Sequence, residues 1–176
     1  MEKKYELTDE IDEIYLCKVY RIRALRDFRN VKKGDLGGFI EKEYNLGHEG
    51  NCWIGDNAKV YGKARVFGDA KVYDDAKAFG HAKVYEYARV GGSACVFDDA
   101  NVSGNAEVYE YAKVYDHAVV NGNAEVYGNA KVYGNMKIYG KAHIYGNACV
   151  YGNNCIYGDA QITGDTEVSE NDTVLR

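Results

Sequence analysis

A strict six-residue repeat runs through most of this chain of 176 residues. From Ala58 onward, the pattern alanine, charged residue, valine, aromatic residue, glycine and polar residue returns without an insertion or deletion as far as Val168. Repeats of six residues are typical of a parallel β-helix, in which each hexad supplies one short strand and one corner. The period therefore predicts an all-β solenoid built from short parallel strands.

The repeat also predicts which side chains lie inside. Side chains alternate across a strand, so the alanine and valine of one hexad point to one side, and the charged and aromatic residues point to the other. We expect the aliphatic side to form the core; Ala78 is the one gap in the valine and isoleucine column. Three hexads would complete a triangular coil, residues one coil apart would stack at roughly 4.8 Å, and the chain has room for about seven coils.

The first part of the chain does not follow the repeat. Residues 14–23 alternate between apolar and polar and predict a strand. Residues 32–35 predict a turn, and residues 36–39 predict a glycine-rich chain reversal. Because a solenoid needs its open end covered, we expect residues 1–45 to form an N-terminal β cap and residues 46–176 to form the hexapeptide-repeat β-helix.

Two sequence features support a resemblance to known proteins. The hexads resemble the left-handed β-helix of bacterial hexapeptide-repeat acyltransferases and their non-catalytic relatives. The segments RALRDFRNVKKGDLGGFIE at 23–41 and NLGHEGNCWI at 45–54 are similar to YdcK-like hexapeptide proteins of bacterial and prophage genomes. The resemblance implies a single-stranded left-handed parallel β-helix, whereas the period itself leaves the handedness open.

Composition excludes several classes of function. A net charge of −5 argues against a general membrane or nucleic-acid binder, so we expect neither partner. There is no apolar run long enough to span a membrane and no signal-peptide pattern, which predicts a cytoplasmic protein. The five cysteines lack zinc-site spacing, so we expect free, reduced thiols and no metal site.

An uninterrupted aromatic column is the most informative surface feature. In steps of 18 residues, an aromatic residue recurs without a break on one predicted face, next to a column rich in lysine. Stacked aromatic side chains can simply stabilise the sheet, or they can form a surface for a protein partner or for association into a dimer or trimer. The aromatic residues are Tyr61, Phe79, Phe97, Tyr115, Tyr133 and Tyr151, and the lysines are Lys59, Lys77, Lys113 and Lys131.

A cluster of basic residues marks the predicted cap. Arg21, Arg23, Arg26 and Arg29 lie close together in sequence and are interleaved with aromatic residues. Such a segment can contact an anionic ligand. The alternative is a solvated edge of the cap, since charges that alternate along a strand usually mark its exposed side.

Histidine is the residue that the resemblance implies for catalysis, because hexapeptide acyltransferases use one as the general base that removes a proton from the acceptor hydroxyl or amine as the acceptor attacks an acyl-CoA thioester. His143, on a strand with Glu125 one coil below, is the candidate catalytic residue. His81 and His117 share a corner column around Asp99. They would lie about 10 Å apart, which is too far for a shared metal ion.

Two functions are therefore compatible with the sequence. The first is a non-enzymatic scaffold or binding protein, oligomeric, encoded by a phage or prophage, without a cofactor, and acting on a host or self partner. The alternative is an acyltransferase that uses acyl-CoA. The resembled enzymes interrupt their coils with a loop that walls the CoA site. Because residues 58–168 contain no insertion, the sequence favours the first function.

Overall fold

The chain folds into a β-solenoid with a three-stranded cap. The computed structural model describes residues 2–169, and within this range the secondary structure comprises 23 strands and one 3-10 turn, Glu43–Asn45. The cap strands are β1 (Tyr5–Ile14), β2 (Cys17–Ala24) and β3 (Leu36–Ile40). No helix in this part of the chain is long and apolar enough to cross a membrane.

Each hexad contributes one strand of two residues. These strands, β4 to β23, are in chain order Trp53–Ile54, Lys59–Val60, Arg65–Val66, Lys71–Val72, Lys77–Ala78, Lys83–Val84, Arg89–Val90, Cys95–Val96, Asn101–Val102, Glu107–Val108, Lys113–Val114, Val119–Val120, Glu125–Val126, Lys131–Val132, Lys137–Ile138, His143–Ile144, Cys149–Val150, Cys155–Ile156, Gln161–Ile162 and Glu167–Val168.

Every third strand joins the same sheet, which gives three faces. Face 1 has the order β1-β2-β3-β5-β8-β11-β14-β17-β20-β23. Face 2 contains every third strand from β6 to β21, and face 3 contains every third strand from β4 to β22. Strands one coil apart pair in parallel, as Cys95 does with Lys113. The predicted all-β solenoid of about seven coils is confirmed. Its handedness stays a prediction from the resemblance.

Backbone hydrogen bonds hold each coil to the next. The Lys113 amide donates to the Ala130 carbonyl at 2.9 Å, and the Tyr115 amide donates to the Val132 carbonyl at 3.0 Å. The corners need a positive φ, which is easiest for glycine. Where an acid takes this position, as Asp116 does at φ 55°, its carboxylate accepts a hydrogen bond from the Gly134 amide one coil further on, at 3.0 Å. This bond offsets part of the backbone strain.

The core is a stack of small aliphatic side chains, as predicted. The inward alanine and valine residues between Ala58 and Val150 are 0% exposed. Met136 replaces an inward alanine and is also fully buried. Asn154 takes the same position one coil later, and its side-chain amide donates to the Ser169 carbonyl at 3.0 Å. This polar side chain therefore has a hydrogen-bond partner, which limits the cost of its burial.

The prediction of one strand across residues 14–23 was wrong. Ile14 ends β1 and pairs with Cys17 at the start of β2, so Tyr15 and Leu16 form a two-residue hairpin turn. Tyr15 adopts a φ of 54° at this turn. An alternating pattern that continues through two exposed residues cannot reveal a turn between them. The acidic residues 9–13 consequently lie within the first strand of a hairpin.

The predicted reversal at residues 36–39 was also wrong, because this segment is strand β3. A Cβ atom at Gly37 would lie 2.5 Å from the Ile54 carbonyl oxygen, and one at Gly38 would lie 2.4 Å from the Ala58 carbonyl oxygen. These glycines permit close backbone contact and do not form a turn. β3 pairs in parallel with β5, so the first strand of the face 1 stack lies within the predicted cap, residues 1–45.

A buried lysine ties the cap to the first coil. Lys4 is 0% exposed, and its Nζ donates to the carbonyl of Cys52 at 2.9 Å and to its Sγ at 3.1 Å. The ammonium group also lies 5.3 Å from the centre of the Phe28 ring. Burial lowers the pKa of Lys4. Next to it, the Tyr5 hydroxyl donates to the Leu46 carbonyl at 2.9 Å. These contacts close the N-terminal end of the solenoid.

The core can be tested with one strand that carries an inward and an outward residue. We expect Ile138→Ala to lower the free energy of unfolding by about 2–5 kcal/mol, because it leaves a cavity between stacked layers. The matched control Lys137→Ala, from an exposed position on the same strand, should change it by no more than about 0.5 kcal/mol. Urea unfolding followed by circular dichroism measures both; equal losses would contradict the assignment of inside and outside.

Candidate functional site

The aromatic column predicted from the sequence forms a continuous ladder on the outer side of face 1. Neighbouring ring centres are 4.8–5.1 Å apart, and the ring planes differ by 2–12°. Face 2 is interrupted at Ser103 and face 3 at Gly91, so neither carries a ladder of this length in the described coils. We call the rings and their lysines the face 1 stripe: Tyr61, Phe79, Phe97, Tyr115, Tyr133 and Tyr151, with Lys59, Lys77, Lys113 and Lys131.

The cap covers the first ring of the face 1 stripe, which the sequence did not predict. Tyr61 is only 9% exposed and forms a small apolar cluster with Val19 and Phe39, against which Ile14 packs. Beside this cluster, Lys59 Nζ lies 2.7 Å from a carboxylate oxygen of Asp12. The β1–β2 hairpin therefore binds the start of the stripe through aliphatic side chains on the rings and a carboxylate on the lysine.

The rest of the face 1 stripe remains uncovered within the described residues. Phe79 and the four rings beyond it are half-buried by their own stacking. Lys113 and Lys131 are exposed, Lys77 is half-buried, and none of the three has an ion-pair partner in the part of the chain that the structure describes. The uncovered part of the stripe thus presents the same two side-chain types, an aromatic ring and a lysine, that the hairpin contacts at Tyr61 and Lys59.

The hairpin also presents unused apolar side chains to solvent. Tyr15 and Leu16 at its tip are 94% and 100% exposed, and Ile11 on β1 is 48% exposed. The acidic residues Asp9 and Glu13 flank Ile11 on β1 and are also exposed. The free side of the hairpin is therefore both acidic and apolar.

The structure does not bring the four predicted anion-contact arginines into one site. Arg21 stacks on the Phe39 ring at 4.4 Å, and Arg23 donates to Glu6 at 2.8 Å. Arg29 pairs with Asp69 at 2.8 Å near face 3. Arg26 lies near buried Lys4, whose pKa is lowered by burial and, to a smaller extent, by this second cation. Arg21 and Arg23 thus have favourable partners within the cap, and Arg29 lines a cleft beside face 3.

The candidate base His143 lies half-buried on the outer side of face 3. Its Nδ1 is 3.6 Å from a carboxylate oxygen of Glu125, which also accepts a hydrogen bond from the Tyr109 hydroxyl at 3.1 Å. A carboxylate beside an imidazole can orient it as a general base. His143 does not line the cleft beside face 3 that is described below.

The other histidines and the cysteines form no metal site. Asp99 bridges two imidazoles at an exposed corner, 3.1 Å from His81 Nδ1 and 3.8 Å from His117 Nδ1. Within residues 2–169, no group of three or more histidine, cysteine, aspartate or glutamate side chains is arranged to hold a metal ion. The five cysteines are unpaired in the structure.

A cleft beside face 3 was not predicted as a site. It has a volume of about 460 Å³ and lies between the loop that follows β2 and the first strands of face 3. Trp53, Tyr73, Lys71, Arg89 and Arg29 contribute to its lining. The signal in the sequence was the glycine at position 91, which interrupts the aromatic column of face 3, but its consequence depends on where the cap loop lies.

The fold and the repeat together define the chain as a hexapeptide-repeat β-helix protein. No protein-family model matches it. Over 43 residues the chain is 49% identical to the Escherichia coli (strain K12) protein described as "Uncharacterized acetyltransferase YdcK". The match covers 24% of this chain and 13% of that relative, so it spans well under two thirds of the relative's length.

The raised pKa values of tyrosines in the face 1 stripe lead us to expect a lower free energy of unfolding at alkaline pH. Burial raises the pKa of Tyr115 from 10.0 to about 12, and burial does the same for Tyr61. An acid with a raised pKa in the folded state favours folding below the unfolded pKa. This contribution is lost as the pH rises from 10.0 to about 12, because the unfolded chain ionises first.

We therefore expect the free energy of unfolding to fall across this alkaline range, and Tyr115→Phe to reduce the fall. Phenylalanine keeps the stacked ring but removes the phenol, so the difference between the two proteins isolates one tyrosine from the lysines that titrate nearby. Urea unfolding at several pH values measures the effect, and the absorbance of phenolate reports the titration itself. Identical pH dependence in both proteins would contradict the prediction.

Proposed function

We propose that this protein is a non-enzymatic β-helical binding protein that acts through the face 1 stripe. The observation that supports the proposal most directly is the contact between the hairpin and the first ring, in which Ile14 packs on the Tyr61 cluster and Asp12 pairs with Lys59 at 2.7 Å. The same combination of flat ring and lysine recurs further along the stripe. An acidic, aliphatic and extended segment is therefore the occupant that suits the uncovered rings.

A second copy of the chain carries such a segment. The free side of its hairpin offers Ile11, Tyr15 and Leu16 to pack on aromatic rings. Asp9 and Glu13 are available for the stripe's unpaired lysines. Aromatic rings at the centre of an interface, with charges that fix the register, are typical of protein association. We therefore propose a homo-oligomer in which the hairpin of one copy binds the stripe of another.

The proposed interface can be tested with one acidic substitution on each of two faces. Tyr115→Glu places a carboxylate in the middle of the face 1 stripe and should weaken association roughly thirtyfold or more, the loss typical of a central aromatic residue. Tyr127→Glu is the matched control, because Tyr127 stacks between two rings on face 3 at 4.9 and 5.0 Å. Light-scattering mass across a dilution series measures both variants.

The other half of the proposed contact has its own test. Leu16→Asp changes a residue that is 100% exposed at the hairpin tip, so the monomer should fold normally while the oligomer dissociates. Wild-type protein that remains monomeric at all concentrations would refute self-association. Equal dissociation of Tyr115→Glu and Tyr127→Glu would place the interface elsewhere.

An acyltransferase that uses an acyl-CoA donor is the second candidate function. Two observations favour it: the partial similarity to a protein described as an acetyltransferase, and the carboxylate of Glu125 3.6 Å from His143. Against it, His143 lies on an open strand face and does not line the cleft beside face 3. Active sites that exclude water are usually concave, so the geometry favours binding over catalysis.

A thermal-shift titration with acetyl-CoA separates the two functions. For a binding protein we expect no saturable rise in Tm beyond the response to adenosine monophosphate, which carries the adenine and phosphate without the thioester arm. An enzyme that binds the donor at one hundred times its Kd would instead be stabilised by about 2.7 kcal/mol. A saturable rise with acetyl-CoA that exceeds the control would overturn the non-enzymatic proposal.

A further inference from the structure

The cleft beside face 3 has one wall from the cap and one from the coils. The cap contributes Phe28 and Val31 from the loop that follows β2, and Leu36 from the start of β3. The Phe28 ring meets Trp53 edge to face, with ring centres 5.3 Å apart and an angle of 67° between the planes. Trp53 is 9% exposed, and Tyr73 lines the coil side. This half of the cleft is thus aromatic and apolar.

A missing side chain in face 3 sets the position of Tyr73. Gly91 stands in the column where Tyr109 and Tyr127 stack in later coils. A Cβ atom at Gly91 would lie 2.3 Å from a carbon of the Tyr73 ring, so the ring lies over the glycine instead of stacking on a neighbour. Because Gly91 has no side chain, the surface of face 3 is irregular here, and the Tyr73 ring forms one side of the cleft.

The other half of the cleft is cationic. Its lining residues include three cations, Arg29, Lys71 and Arg89, against one carboxylate, Asp56. Lys71 and Arg89 are paired on adjacent strands, which places them roughly 4.8 Å apart along the face. Counted over its lining residues alone, the cleft is positive, whereas the whole chain has a net charge of −5.

The cations differ in how fully they are neutralised. Arg29 pairs with Asp69 at 2.8 Å, and Arg89 lies 3.4 Å from Glu107. Lys71 has no ion-pair partner among residues 2–169, although it is half-buried. A half-buried ammonium group without a carboxylate favours an anion from outside the chain.

We propose that this cleft binds a small planar aromatic anion. The ring would lie against Trp53 and Tyr73, and the anionic group would contact Lys71 and Arg89. The volume of about 460 Å³ suits one small molecule. Aryl carboxylates, aryl phosphates and nucleobase phosphates share this chemistry. The site lies beside face 3, so it is independent of the association proposed for face 1.

Trp53 is the one tryptophan of the chain, and its fluorescence therefore reports on the cleft directly. We expect phenyl phosphate to give a saturable change in this fluorescence. Inorganic phosphate lacks the ring and benzylamine reverses the charge, so each should bind at least about tenfold more weakly. Adenosine monophosphate distinguishes the two classes of ligand. If it binds more tightly than phenyl phosphate, the natural ligand is a nucleotide; if it binds more weakly, the natural ligand is a simple aryl anion.

A pair of lysine variants tests the assigned contact. Lys71→Gln should weaken the binding of phenyl phosphate about tenfold, because it removes one charge-assisted hydrogen bond. Lys137→Gln removes the equivalent charge from an exposed position on face 2 and should leave the affinity unchanged. The proposal is overturned if neither aromatic anion gives a saturable change. It is also overturned if benzylamine or inorganic phosphate binds as tightly as phenyl phosphate, or if the two variants behave alike.

Discussion

The backbone hydrogen bond from each outward residue to the carbonyl seventeen residues later determines the rest of the structure. It joins Lys113 to Ala130 at 2.9 Å, and equivalent bonds recur in every described coil. Because the register never changes, side chains at equivalent positions of the repeat must stack at the strand spacing of roughly 4.8 Å. The face 1 stripe follows directly from this constraint. So does the amide ladder at one corner, where Asn129 donates to Asn147 at 3.1 Å. Neighbouring coils are thus joined by side chains as well as by the backbone.

The same constraint explains how much could be predicted from the sequence. Position in the repeat is enough to place Val114 inside and Tyr115 outside, because both depend only on strand alternation and an unbroken period. The cap has no period, and its structure depends on contacts distant in sequence. Gly37 looks like a turn residue until the carbonyl of Ile54 is seen to lie where its side chain would be. The burial of Tyr61 was equally inaccessible, since it requires a hairpin to fold back on face 1.

The candidate sites also differ in whether they lie in the periodic coils or depend on the non-periodic cap. The face 1 stripe could be predicted from the sequence because it is periodic. The burial of its first ring, Tyr61, under the hairpin could not. The cleft was missed because it needs the cap loop carrying Phe28 to meet the coil carrying Trp53, at ring centres 5.3 Å apart. The arginines that cluster in sequence have different partners in the structure: Arg21 donates to the Gly37 carbonyl at 2.8 Å, whereas Arg29 lines the cleft with Lys71 and Arg89. Chain neighbours in a non-repeating segment need not share a surface.

Regular and irregular surfaces of a solenoid favour different ligands. A ladder such as the face 1 stripe offers equivalent positions about one strand apart, so it suits an extended segment that would make many similar contacts, and it discriminates poorly against a shift of one coil. The hairpin of the cap removes that ambiguity at one end, because it already occupies Tyr61. A single small molecule needs the opposite, namely one position unlike its neighbours. Gly91 and the cap loop create such a position beside face 3. The cap therefore defines both surfaces, since its hairpin fixes where the stripe begins and its loop closes the cleft.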